Sequence, residues 1–239
     1  MKRQPPHPSH RPFRSVAGLA LCAATFALIT ACSSGDKETD LNSVVPKMMK
    51  DLTGPRPEEA AAHLFDVTSP DERRDAIAFL CKQKYGHEPP YIKAYTMLAT
   101  DPHPMVRAQA MKALGSARNP GVVPALLKGL DDKDAMVRAD AAAGLVESFT
   151  DEAIDPLMTH LKEDTDVQTR MNAACALGNS ASPKAIRALI DALDDRNVGV
   201  THYALKTLVH VTGQNIAMES RQWLQWYQSQ PWAKSATQG

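Results

Sequence analysis

The sequence predicts an all-α protein, a right-handed solenoid of stacked antiparallel helix pairs. Three observations carry this expectation. Leu114, Leu145, Leu177 and Leu208 recur at intervals of 31, 32 and 31 residues. An aspartate stands thirteen residues before each one (Asp101, Asp132, Asp164, Asp195), and an arginine seven before the first three (Arg107, Arg138, Arg170). Within each unit, apolar or small residues recur four apart along one helical face. A period of this size marks an array whose units bury their apolar faces only against their neighbours. Such an array argues for a surface that holds other proteins, and against a pocket that does chemistry.

The chain opens with a basic segment carrying Lys2, Arg3, Arg11 and Arg14 and no acid. An uncharged, mostly apolar stretch follows from Val16 to Ala31, ending in Leu28-Ile29-Thr30-Ala31-Cys32. A basic region, an apolar region and small residues before a cleavage point make a secretory signal. The stretch is short for a spanning helix. The cysteine directly after Ala31 resembles the lipobox of bacterial lipoproteins. That resemblance implies cleavage between Ala31 and Cys32, a diacylglycerol on the Cys32 thiol, and a fatty chain such as palmitate on the new amine. Residues 1–31 are then a signal peptide, and the polar residues 32–43 a flexible tether. Ser33 follows the lipid cysteine; by resemblance to the enterobacterial sorting rule, it implies the periplasmic face of the outer membrane rather than the inner membrane.

Residues 44–100 read as divergent helical repeats. Met48, Met49 and Leu52 give a short apolar face that Gly54-Pro55 ends. Pro57 opens a helix over Glu58–Phe65, and Ser69-Pro70-Asp71 starts another with Ala76, Ile77, Phe79 and Leu80 as its buried stripe. Pro89-Pro90 breaks the chain before Tyr91–Ala99. Leu80 precedes Leu114 by 34 residues, so this unit carries a small insertion around Tyr85–Pro90.

Residues 101–211 are the regular array. The first helix of each unit has Val106, Ala110 and Leu114, then Val137, Ala141 and Leu145, then Thr169, Ala173 and Leu177, then Val200, Ala204 and Leu208. Asp134, Asp166 and Asn197 stand where a side chain caps a helix start, and His103 is followed by Pro104 at the first helical position. The second helices start at Asn119-Pro120, Thr150 and Ser182-Pro183. Their leucines lie twelve and sixteen residues after the register leucine: Leu126, Leu157, Leu189 and Leu130, Leu161, Leu193.

Val106-Arg107-Ala108 with Ala113-Leu114-Gly115, Val137-Arg138-Ala139, and Arg170 with Ala176-Leu177-Gly178 resemble the HEAT-like repeats of the phycobilisome-lyase type. The resemblance implies a ladder between adjacent repeats, built from Asp101, Asp132 and Asp164 with Arg107, Arg138 and Arg170. Thr201 replaces the arginine in the fourth unit, so the ladder is expected to stop there.

Residues 212–239 form an aromatic capping helix and tail, holding all three tryptophans. Trp223, Trp226 and Tyr227 share one helical face. They read as a cap over the open apolar end of the array, with a partner patch as the alternative.

Removal of residues 1–31 leaves 23 basic against 27 acidic residues, a net charge of −4. That balance argues against nucleic acid, which requires clustered Lys and Arg. Cys81 and Cys175 are the thiols of the folded part; nearly three repeats separate them, too far to bridge. HExxH, a phosphate-binding glycine loop and a nucleophile elbow are all missing from the sequence. Deoxyhypusine hydroxylases, a HEAT-like enzyme class, hold two irons through several His-Glu pairs. Only His87-Glu88 matches that pattern here, too little for a metal cage.

The sequence thus reads as a membrane-anchored lipoprotein of the bacterial envelope, a scaffold or assembly subunit for protein partners. It shows no catalytic residue, cofactor, metal or small-molecule substrate. The alternative is a lyase-like or hydroxylase-like enzyme.

Overall fold

The computed structural model describes residues 56–232. The signal peptide, Cys32, the tether and the Met48, Met49 and Leu52 face lie outside the described residues. So does the tail after Trp232. Eleven α-helices fill the described residues: α1 (Pro57–His63), α2 (Pro70–Leu80), α3 (Pro89–Leu98), α4 (Pro104–Ser116), α5 (Val123–Leu130), α6 (Ala135–Glu147), α7 (Ile154–Glu163), α8 (Val167–Ala176), α9 (Pro183–Asp191), α10 (Val198–Thr212) and α11 (Ser220–Ser229). None of them is long and apolar enough to cross a membrane.

The helices form two layers. Along one, α2, α4, α6, α8 and α10 pack each on the next; α3, α5, α7, α9 and α11 make the other. Each pair from α2–α3 onward is one repeat, and α1 precedes them. The chain is an all-helical α-solenoid.

The core follows the leucine register. Leu80, Leu114, Leu145, Leu177 and Leu208 have no exposed surface, and neither have Leu126, Leu157 and Leu189 opposite them. Buried Ala113, Ala173, Ala174 and Ala204 let the backbones approach. The tightest approach joins α4 and α6. A Cβ on Gly115 would stand 2.4 Å from the Cα of Gly144, so this crossing requires glycine at 115, and a Cβ on Gly144 would meet a Leu126 methyl at 2.8 Å.

Local chemistry sets the helix ends. The side chains of Asp134, Asp166 and Asn197 accept amide protons at the starts of α6, α8 and α10. Asn119 and Ser182 do the same for Gly121 and Ala185. Gly213, with a φ of 68°, ends α10 in the left-handed conformation.

Two expectations change. Pro89 and Pro90 start α3 rather than precede it, because proline costs nothing in a first turn whose amides have no helical partner. Thr150 does not cap: its hydroxyl is buried without a partner, and a short 3-10 turn (Asp151–Ala153) leads into α7 instead. The insertion folds as another such turn, Lys84–His87, with Gly86 pressed against the Leu80 carbonyl.

Candidate functional site

A row of arginine–aspartate pairs runs along the joints between repeats. Arg107 donates from Nε and Nη2 to the two carboxylate oxygens of Asp132, at 2.7 and 2.8 Å. Arg138 grips Asp164 in the same way, at 2.8 Å for both bonds. Arg170 grips Asp195 at 2.9 and 3.1 Å. One pair stands ahead of these: Arg73 donates to Asp101 at 2.9 and 3.0 Å.

The third guanidinium nitrogen ties each arginine to its own repeat. Nη1 of Arg107, Arg138 and Arg170 donates to the backbone carbonyls of Asp101, Asp132 and Asp164. Each aspartate also accepts the amide two residues on, from His103, Asp134, Asp166 and Asn197 in turn. One planar fork therefore fixes both the turn of its own unit and the position of the next. In the last repeat Thr201 takes the arginine position, and its hydroxyl donates to the Asp195 and Asn197 carbonyls. It keeps the hold on its own unit and loses the reach forward.

These groups are sheltered. The Arg170 side chain is 2% exposed and that of Asp164 also 2%. Burial works against ionisation of Asp164. Hydrogen bonds from Arg138, the Asp166 amide and His160 outweigh it and hold the carboxyl at about 2. Burial opposes ionisation of Asp132 too, yet the Arg107 hydrogen bond and the Asp134 amide bring it below the usual range. Desolvation offsets much of the gain in such pairs. Their clearest effect is geometric: they set how one repeat sits on the next.

Arg73, Asp195 and His160 go beyond the residues expected in the ladder. Arg73 had a signal, since it stands seven before Leu80 as Arg107 stands seven before Leu114. Asp195 was in the aspartate register, and Arg170 of the preceding unit needs it.

Two grooves open on the second-helix layer, each floored by a ladder pair. One lies between α3 and α5, with Thr96, Thr100 and Lys128 above Arg107 and Asp132. The other lies between α7 and α9, with Lys162, Arg187 and Asp191 above Arg170 and Asp195 and Tyr227 at one side. Acids and bases balance in both, three of each in the first and five of each in the second. Neither sign of charge predominates in either groove.

At the C-terminal end α11 packs on α9. Trp223 has no exposed surface, and its indole donates to the Ala217 carbonyl at 3.1 Å. Of the three residues of the alternative partner patch, Trp223, Trp226 and Tyr227, the first is thus fully buried. Trp226 and Tyr227 are half-buried beside it. Trp226 meets Trp223 and Trp232 edge-on, with ring centroids 5.8 and 6.2 Å apart.

Cys81 and Cys175 are free and half-buried, and burial pushes both thiols up. His87 and Glu88 are exposed. Among the described residues, the group spaced to hold a cation is His63, Asp66 and Glu72, whose ligand atoms lie within 4.8 Å of one another. In it His63 Nδ1 already pairs with Glu72 at 2.7 Å.

The HEAT-repeat pattern matches residues 57–146, 92–167 and 124–209. The chain belongs to the HEAT-repeat family. The HEAT repeats thus begin well before Asp101, in agreement with the rung at Arg73. A search of curated proteins finds no match. Solved structures resemble the chain in fold. The complex of CpcE and CpcF of phycocyanin lyase from Nostoc sp. PCC7120 is 22% identical, with a TM-score of 0.60 over 76% of this chain and 71% of that one. YibA of Escherichia coli is 20% identical, with a TM-score of 0.54 over 84% and 76%. A designed armadillo repeat protein in complex with the peptide (KR)4 is 18% identical, with a TM-score of 0.53 over 76% and 96%. At these identities the likeness is one of fold.

Proposed function

We propose that this HEAT-repeat protein is a scaffold or assembly subunit that holds protein partners at a bacterial envelope, anchored by lipid on Cys32. The observation that carries the scaffold reading is the pair of equivalent grooves on the second-helix layer, each with a rigid Arg–Asp floor and balanced charge. A rigid surface that repeats suits an extended or helical segment of another protein. Equal numbers of acids and bases disfavour nucleic acid and other polyions. The envelope reading is supported by Ile29-Thr30-Ala31-Cys32 behind a basic and apolar segment, and Ser33, a residue other than Asp after the lipid cysteine, favours the outer membrane by resemblance to the enterobacterial sorting rule.

Photo-crosslinking in the native cell tests the scaffold reading. A crosslinker at Lys128 or Arg187, on the second-helix layer, is expected to give discrete adducts. One at Lys112 or Lys206, on the first-helix layer, is expected to give far fewer. Equal adducts from both layers, or none from the second, would refute it. Metabolic labelling with a fatty-acid analogue tests the anchor: Cys32→Ala is expected to abolish the label.

A further inference from the structure

His160 stands one residue before Leu161, in the last turn of α7. The equivalent places, before Leu130 and Leu193, hold Gly129 and Ala192. Both line the open grooves. At the joint between them, between α5 and α7, an imidazole occupies that position. Its side chain is 16% exposed and reaches across the repeat boundary. Nδ1 lies 3.0 Å from Asp164 Oδ2, and Nε2 lies 3.5 Å from Asp131 Oδ1 at the end of α5. The ring therefore stands between the Asp164 carboxylate, four residues on where the next repeat starts, and the Asp131 carboxylate of the repeat before.

We propose that His160 is a proton-operated latch on the α5–α7 joint. A neutral imidazole has one N–H and one lone pair. It can donate to one carboxylate while turning the lone pair toward the other. An imidazolium donates from both nitrogens and is attracted by both acids. One proton taken from solvent is the whole change.

The surrounding charges leave that role to the ring. Asp132 beside Asp131 is held by Arg107, and Arg138 of α6 holds Asp164. Arg170 of α8 is committed to Asp195 and to the Asp164 carbonyl. Lys184 of α9 pairs with Asp155 at the far end of α7, where Asp151 and Glu152 also lie. Lys133 in the α5–α6 loop, Lys128 of α5, and Lys162 and Glu163 of α7 are exposed or half-exposed. The joint lies between the two open grooves, so acid holds them in a fixed relation and base lets that relation relax. This rests on His160 geometry alone and stands whether or not the grooves bind a partner.

Amide hydrogen exchange on the full chain tests it, comparing wild type with His160→Ala at matched conditions. Alanine already occupies the equivalent place at residue 192, so the variant is expected to fold. At about pH 5.5 the amides of Leu126–Leu130 and Leu157–Leu161 should be about fivefold better protected in wild type than in the variant. At about pH 8 the ratio should fall below about twofold. Amides at the α9–α10 boundary should not differ. Asp131→Asn, a change at an exposed residue, should remove part of the acid-side protection. The same protection ratio at both pH values, or an Asp131→Asn protein indistinguishable from wild type in acid, would overturn the latch.

Discussion

Arg73 holds Asp101 through two parallel hydrogen bonds of 2.9 and 3.0 Å, so the ladder begins one repeat before the regular leucine spacing does. The pair lies 28 residues apart in sequence, and both side chains are under a tenth exposed. Four rungs result where the regular spacing suggests three.

Breaking a rung should be costly. Arg170 is almost wholly buried, and Arg170→Ala strands the Asp195 carboxylate. The expected loss is about 3 kcal/mol or more. A double variant, Arg170→Met with Asp195→Leu, should lose much less, because no unpaired charge remains. Urea unfolding of the three proteins checks the order.

Acid should weaken the third rung, Arg138–Asp164, in a defined window. Asp164 ionises at about 2 when folded, against an ordinary 3.8. A depressed acid stabilises the fold above its unfolded value and loses that contribution as pH falls through its folded one. Stability should therefore drop between pH 3.8 and about 2. The fall in melting temperature across that range should be smaller for Asp164→Asn than for wild type.

The leucine register separates core from surface. Leu145→Ala should cost about 2–5 kcal/mol, and coupling between neighbours should spread the loss along the array. Lys128→Ala, at an exposed position, should stay within about 0.5 kcal/mol. Coincident urea midpoints would disprove the register.

The α4–α6 crossing leaves no room for a methyl. Gly115→Ala should destabilise the protein by about 1–3 kcal/mol through forced separation of the two backbones. Gly121→Ala, where the nearest atom is a side-chain oxygen 3.2 Å away, should be far milder. Thermal melts distinguish the two.

Deleting Arg221–Gly239 removes Trp223 from its buried seat. The truncated protein should melt lower and aggregate, because the apolar end of the array opens to solvent. An unchanged melting curve would show that α11 is no cap.

Much of this architecture was legible because solenoid contacts are local in sequence. Arg107 and Asp132 are one repeat apart, so a fixed spacing reveals both. Arg73 was harder to read, since the turn at Lys84–His87 stretches its unit to 34 residues. Thr150 misled because a hydroxyl before a helix looks the same whether the helix or a 3-10 turn follows. His160 carried no spacing signal at all: its two carboxylates meet only where α5 and α7 lie side by side. Burial of Trp223 depends on how α11 lies across α9, which periodicity does not encode.

Each repeat extends an arm toward the unit after it and offers a socket to the unit before it. The ladder contacts at the joints are alike, as those of Arg107, Arg138 and Arg170 attest, while the Gly115–Gly144 approach and His160 each belong to a single joint. As far as the ladder goes, a block running from one aspartate to the next is a unit that begins with a socket and carries one arm. Thr201 is the stop mark, holding its own turn with no arm to offer. Gene-level duplication can therefore lengthen the ladder from within, but an extra unit appended beyond α10 would have no arm to receive it.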